Sequence, residues 1–413
     1  MQMGLVILLA VPVCLLFVYS LVSRRLQESP VTAPMVFTAV GILIGCGFPE
    51  FLRTWGNPSI ALHIAELGLV LLLFTDASRS RIAGLRTVQN LAARLLGTGM
   101  LLTILLGAIA AKIVFPGFSL WEAGILAAIL APTDAGLGQV IVTSPRVPLR
   151  IRQALNLEAG LNDGLSVPFL MFFMALAAVS REGREASLMQ FIVEQLGYGV
   201  LAGLAIGLVG GWLLGLADRK GWMEDGFRQI GVVSLPLLCL IISEMVGASM
   251  FIAAFVAGLA VQPGFKDAGK HSVEFAEEWG QLLNLSVFFL FGLVVARDWP
   301  QFTVLTAVYA VLSLTVVRML PVAIALAGTH LSRASVAFMG WFGPRGLASI
   351  VLGLVYLEEE IHLAGEPAIR FTVTLTVALS IFLHGLSAMP GINFYAKRVA
   401  SLPSASPENA VAA

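Results

Sequence analysis

ILAPTDAGLGQ (129–139) and GWFGPRGLAS (340–349) are the two stretches on which the fold turns. Each lies inside a long apolar run, yet each carries what a membrane helix ordinarily excludes. Pro132 and Pro344 remove a backbone donor and crowd the preceding turn. Gly136, Gly138, Gly340, Gly343 and Gly346 weaken helix further. Each stretch also holds one charge, Asp134 in the first and Arg345 in the second. Two mid-span breaks with a charge apiece predict a functional site where they meet.

Around these breaks the chain is built for a bilayer. Of its 413 residues 58% are hydrophobic and 12% charged, where soluble domains run near half apolar and about a quarter charged. Lys+Arg and Asp+Glu balance at 25 each, so there is no basic footprint for nucleic acid. A spanning helix needs roughly 20 apolar residues. About thirteen stretches approach that: 3–22, 33–48, 60–76, 95–115, 121–143, 153–179, 190–217, 229–246, 248–262, 282–296, 302–327, 334–357 and 370–390. The first is a span rather than a secretory signal, because its basic residues, Arg24 and Arg25, follow the apolar run. The three cysteines, Cys14, Cys46 and Cys239, lie in apolar runs without metal spacing and read as small core residues.

The loops give the orientation. Those after odd-numbered spans hold 17 of the 25 Lys+Arg, those after even-numbered spans 5 (counting Arg370, at the edge of the last stretch), and Lys112, Arg318 and Arg345 lie within spans. Basic residues accumulate on the cytoplasmic side, which places the N-terminus outside and the C-terminus in the cytoplasm of a multi-pass cell-membrane protein (the inner membrane in a Gram-negative cell). The expected architecture is all-α: a single transmembrane domain over 1–400, with inverted six-helix repeats over about 1–180 and 229–390 and a linker helix over about 190–217. The breaks then fall in matching spans, 5 and 12. The segment 401–413, SLPSASPENAVAA, is polar and Pro/Ser-rich and reads as a short disordered cytoplasmic tail.

Charges at bilayer depth cost at least about 2.5–3.5 kcal/mol each on insertion scales. The mid-span candidates are Glu66, Asp134, Glu158, Asp163, Glu244, Arg318, Arg345 and His384, with Asp76 near a span end. Acids outnumber bases, and a surplus buried carboxylate is neutralised by a proton or by a bound cation. A site that takes one or the other, never both, is the minimal physics of exchange. The densest span reads NLEAGLNDGLSVP (156–168), where Glu158 shares a helical face with Asn162, and Ala159 with Asp163. Glu158 and Arg345 are the expected structural ion pair, Glu66, Glu244 and Arg318 are expected to lock helices together, and His384 reads as a satisfied bundle residue. Glu358, Glu359 and Glu360 read as a solvated outer face.

PTDAGLGQ, the basic loop PRVPLRIRQ (145–153) and NLEAGLNDG together resemble the bacterial sodium/proton antiporters of the NhaP type, relatives of the animal sodium/hydrogen exchangers. SEMVGASMFIAAFVAGLAV (243–261), WFGPRGLASIVLG (341–353) and LGLVLLLFTDA (67–77) resemble three further helices of that family. The resemblance implies thirteen helices, a homodimer through one domain, and a moving core whose broken helices cross beside the ion. It implies that Asp163 binds proton or cation, that Thr133 and Asp134 line the site, and that Asp76 contributes from farther out. Glu158 and Arg345 would join spans 6 and 12, and Asn162 marks the subgroup that resembles the electroneutral exchangers. Two positions depart from the family pattern: Ala159 stands where a serine is usual, one turn before Asp163, and Ala135 where many relatives have proline.

The resulting expectation is a pH-homeostatic transporter and not an enzyme. It exchanges Na⁺ (or Li⁺ or K⁺) for H⁺ from within membrane lipid, with the cation held at Asp163, Asp134 and Thr133 and no cofactor. Potassium/proton exchange is the main alternative. A cation channel, or an intramembrane aspartyl protease using Asp134 and Asp163, is more remote.

Overall fold

The computed structural model describes residues 2–27, 29–48, 59–79, 89–182, 192–265, 272–358, 362–403 and 406–409. The described residues are mostly helical, with no strand among them. Seven of their helices are long and apolar enough to cross a membrane, and four shorter apolar helices accompany them. This is an integral membrane protein. Glu359 and Glu360 lie outside the described residues.

Besides a short helix, Gln89–Arg94, the helices are α1 (Gln2–Gln27), α2 (Ala33–Gly47), α3 (Ser59–Arg79), α4 (Met100–Val114), α5 (Leu120–Ile129), α6 (Ala135–Thr143), α7 (Leu149–Glu182) and α8 (Gly199–Arg219). After them come α9 (Asp225–Val246), α10 (Met250–Val261), α11 (Ser272–Asp298), α12 (Val304–Leu314) and α13 (Val316–Ala325). The series ends with α14 (Arg333–Trp341), α15 (Leu347–Glu358) and α16 (Glu366–Ala400). Both anticipated breaks are present, between α5 and α6 and between α14 and α15. A third interruption, between α12 and α13 at Thr315 (φ −112°, ψ −92°), has no Gly or Pro to announce it. Single π-helical turns, Leu95–Gly99 and Ile192–Tyr198, lead into α4 and α8.

The chain divides into two compact units. The first contains Met1–Ala61, Leu85–Asn162 and Leu285–Ala413. In it α2 meets the second half of α11 at Gly41 and Gly292, where a Cβ on either would run into the other helix's backbone. The buried Tyr309 hydroxyl donates to the Gly107 carbonyl at 3.2 Å, tying α12 to α4. Its apolar core gathers Ile141, Ile151, Leu155, Val322, Phe338, Ile392 and Tyr395 from α6, α7, α13, α14 and α16, with Phe342 just past the end of α14.

The second unit contains Leu62–Gly84 and Asp163–Asn284. Its seam is a glycine ladder on α8. At Gly203, Gly207 and Gly211 a Cβ would press on the carbonyls of Ala253, Ala257 and Val261, so side-chain-free positions every fourth residue let α8 and α10 touch backbone to backbone. The opposite side of α8 exposes Leu201, Leu208, Trp212 and Leu213, apolar area that suits lipid. On the other flank of α10, Gly258 lies against the Phe74 carbonyl of α3, and Gln262 Nε2 donates to the Ser78 carbonyl at 2.6 Å.

The structure departs from three expectations. Glu244 sits in the last turn of α9 and is exposed rather than buried at mid-span. Cys239 is buried, but Cys14 and Cys46 are exposed, so only one cysteine fills core. Within the terminal segment expected to be disordered, Pro407–Asn409 forms a 3₁₀ turn and Glu408 is buried, because specific donors described below hold it.

Candidate functional site

The two breaks meet. The Asp134 amide donates to the Pro344 carbonyl at 2.7 Å, one backbone segment pairing with the other where neither is helical. Four half-helix ends therefore converge. Helix N-termini carry partial positive charge and free N–H groups; C-termini carry the opposite.

Asp134 serves both N-termini. As N-cap of α6 its Oδ1 accepts from Leu137 N at 2.9 Å, while its Oδ2 accepts from Leu347 N, at the start of α15, at 2.6 Å. Arg345 serves both C-termini. Its Nε donates to the Leu130 carbonyl, past the end of α5, at 2.9 Å, and its Nη1 to the Gly343 carbonyl, past the end of α14, at 2.6 Å. Ser349 Oγ takes the Ile129 carbonyl at 2.7 Å, and a ring nitrogen of His384, Nε2, lies 2.9 Å from the Trp341 carbonyl. His384 is thus a satisfied residue, stacked on Trp341. The glycines of the second break are a steric requirement: a Cβ at Gly346 would collide with the Asp134 carboxylate, and one at Gly343 with the Arg318 guanidinium.

The expected pairing of Glu158 with Arg345 is wrong in its partner. Glu158 is held bidentately by Arg318 of α13, Nη1 to Oε1 at 2.6 Å and Nη2 to Oε2 at 2.9 Å, with both side chains buried. Arg345 makes no ion pair among the described residues, and its Nη2 has no hydrogen-bond partner among them. Physically, Arg345 is drawn off by one carbonyl at each break, Leu130 and Gly343, whereas the interruption at Thr315 starts α13 one turn before Arg318.

Asn162 Nδ2 donates to Thr133 Oγ1 at 2.7 Å, fastening α7 to the first break, and Asn162 Oδ1 has no partner among the described residues. A narrow cavity runs along α6 from the break, lined by Thr133, Asp134, Gly138, Ile141, Leu155, Glu158, Ala159, Phe342 and Pro344 among others. Position 159 therefore faces the same space as Thr133 and Asp134. Thr133, Asp134, Glu158, Ala159, Asn162 and Arg345 all belong to the first unit, and Arg318 joins them. Asp163 and Asp76 belong to the second. Asp163, next along α7, is buried, and beside it Gly164 makes room for the Phe255 ring. Asp76 is half-buried on α3.

The formal charges of Asp134, Glu158, Arg318 and Arg345 cancel. Each oxygen of Asp134 accepts a backbone N–H, which suits a capping carboxylate and not one of a proton-sharing aspartyl pair.

Residues 13–392 match the transmembrane region that defines the sodium/hydrogen exchangers. The chain belongs to that exchanger family. Among its relatives, a probable Na⁺/H⁺ antiporter of Schizosaccharomyces pombe is 26% identical over 348 residues, covering 79% of this chain and 45% of the relative. A K⁺/H⁺ antiporter, NhaP, of Alkalimonas amylolytica is 26% identical over 384 residues, covering 91% and 64%. The chain thus spans about half to two thirds of the length of these curated exchanger relatives. In fold it is similar to the sodium proton antiporter MjNhaP1 of Methanocaldococcus jannaschii, with a TM-score of 0.71 at 20% identity over 92% of this chain and 99% of that one. NhaP-named proteins therefore stand on both sides of the comparison, in sequence and in fold.

Proposed function

We propose that this exchanger-family chain is a secondary transporter that trades a monovalent cation for a proton, and that Asp163 is the group for which the two compete. The observation that carries the reading is the meeting of two broken helices whose four ends are neutralised by Asp134 and Arg345. Such a junction keeps irregular backbone at membrane depth without drawing on a further carboxylate. Glu158 is spent on Arg318, and Asp134 on two caps. The titrating role is assigned to Asp163, the carboxylate the resemblance implies, one residue beyond the Asn162 that is fastened to Thr133.

In this reading a proton arriving at Asp163 expels the cation, and a cation arriving expels the proton. Thr133, Asp134 and the cavity at Ala159 supply the oxygens and water that replace part of its hydration shell, with Asp76 farther out. Because Asn162 is neutral, one charge enters as one leaves, and exchange is electroneutral. The N-terminus lies outside the cell membrane, the basic loops inside, and the exposed apolar faces meet lipid or a second copy in a homodimer.

Sodium is the first choice of cation. Potassium is a specific second reading, favoured by relatives whose names state K⁺/H⁺ exchange. The deciding experiment reconstitutes the protein in liposomes with an internal pH dye and adds Na⁺, Li⁺ or K⁺ in turn. Proton efflux driven by one cation, indifferent to a clamped membrane potential, is the expected result. Cation flux with no counter-moving proton would instead identify a channel.

A further inference from the structure

At the start of α14 the helix is capped by a residue far away in the chain. Ser332 is the N-cap, its Oγ accepting from Ser335 N at 3.2 Å. In a complete capping box an acidic or amide side chain three residues on would return to the N-cap amide. α5 does this within itself, Glu122 Oε2 accepting from Ser119 N at 2.6 Å. In α14 the third residue is Ser335, too short to carry a carboxylate back. Glu408 supplies the missing acceptor: its Oε1 receives Ser332 N at 2.7 Å and the Ser335 hydroxyl at 2.8 Å. Ser335 Oγ also lies 2.8 Å from the Tyr395 hydroxyl of α16, and Arg150, in the first turn of α7, donates to the Pro407 carbonyl at 2.8 Å. One short turn, Pro407–Asn409, thus joins α7, α14 and α16.

We propose that this turn is a releasable brake on the half-helix α14. The brake rests on the exchange reading above. α14 is nine residues long, about 13 Å at 1.5 Å per residue. Its far end presents the Trp341, Gly343 and Pro344 carbonyls to His384, Arg345 and Asp134. A half-helix held at both ends shifts only if one end gives. The break end is tied by fully buried groups of the site itself. The other end is tied by a terminal segment whose hold on α14 is the two hydrogen bonds to Glu408, both to a charged acceptor and so stronger than neutral ones. Releasing Glu408 loosens the start of α14, leaving it only the Ser335–Tyr395 hydroxyl contact as a side-chain tie to α16, without touching the residues that bind the ion.

The test compares wild type with Glu408→Ala and Glu408→Gln in full-length protein, with two readouts. In liposomes at fixed pH, Glu408→Ala is expected to raise the maximal exchange rate several-fold with unchanged apparent cation affinity, and Glu408→Gln, which keeps an acceptor oxygen, to fall between. In hydrogen exchange, the amides of 332–336 are expected to lose protection in Glu408→Ala while the amides of α15 keep theirs. A rate that is unchanged or lower in correctly inserted Glu408→Ala overturns the brake. So does unchanged protection of 332–336, whatever the transport result. A wild-type chain that exchanges no cation for protons would sink the exchange reading and the brake with it, yet the hydrogen-exchange arm would still report whether Glu408 caps α14.

Discussion

Asp134 and Arg345 divide four helix ends between them, the carboxylate holding two N-termini and the guanidinium two C-termini. The division explains why the breaks tolerate one charge each. A lone charge at bilayer depth is costly, but here each faces partial charges of opposite sign that would themselves be buried without partners. The breaks stabilise each other, and neither is a finished structure alone.

Asp134 should therefore matter to stability before any ion is considered. Asp134→Asn offers one acceptor oxygen to two donors and turns an amide N–H₂ toward a helix N-terminus. A cost of about 1.5–3 kcal/mol is expected, the range for hydrogen bonds to charged groups, read as a lowered melting temperature in detergent without added cation. Gly346→Ala should give a similar loss, since its Cβ would displace the same carboxylate. A wild-type melting curve for Gly346→Ala would show that the carboxylate can leave Leu347 N without penalty.

Glu158 and Arg318 invite a double-mutant cycle. Removing one partner of a buried pair strands the other charge and costs about 3–5 kcal/mol. Glu158→Gln with Arg318→Gln should be less damaging than the two single losses added, with a coupling of about 0.5–3 kcal/mol. The parallel cycle of Glu158→Gln with Arg345→Gln should show much weaker coupling, because Arg345 is bonded to carbonyls. Equal coupling in both cycles would mean that Glu158 is shared between the arginines.

How far these features could be read from the sequence depended on whether the signal is local. Pro132, Pro344 and their glycines act on their own turns, so both breaks were visible. The partner of Glu158 was not: Arg318 and Arg345 are both mid-span bases, and the kink at Thr315 that aims α13 leaves no mark in composition. The α8 glycines at every fourth position from Gly199 to Gly215 are legible as a close-approach face, but α10 as the neighbour is not. Pro/Ser composition predicted disorder over 401–413, and composition is blind to a single carboxylate meeting the Ser332 amide and the Ser335 hydroxyl.

Asp163 is where stability and function should separate. Asp163→Asn is close in shape and leaves Asn162 and Thr133 untouched, so a melting temperature within a few degrees of wild type is expected. Exchange should vanish, because an amide cannot trade a proton for a cation. Proton-coupled cation uptake by the folded variant would remove Asp163 from the mechanism and return attention to Asp134.

Ala159 lines the cavity with Thr133 and Asp134, so a serine there would add a hydroxyl oxygen to that space. Ala159→Ser is expected to tighten apparent affinity for Na⁺ or Li⁺ at fixed pH without altering stoichiometry. Unchanged or weaker affinity would mean that the cation does not pass the Ala159 side of the cavity.

Glu408 gives the pH dependence of the brake. Burial pushes its carboxyl up, but the Ser332 amide and the Ser335 hydroxyl outweigh that, and its pKa lies below the ordinary glutamate value of 4.5. A group whose pKa is depressed in the folded state stabilises that state fully above its unfolded value, and the contribution disappears as pH falls through the folded value. The clamp on α14 should accordingly stay closed throughout the neutral range and open only in acid, below the usual carboxylate range. Protection of amides 332–336 relative to those of α15 should therefore be flat from about pH 8 to pH 6, an interval well above the Glu408 transition. Loss of that protection between pH 7 and pH 6 would require a group other than Glu408 to control the cap.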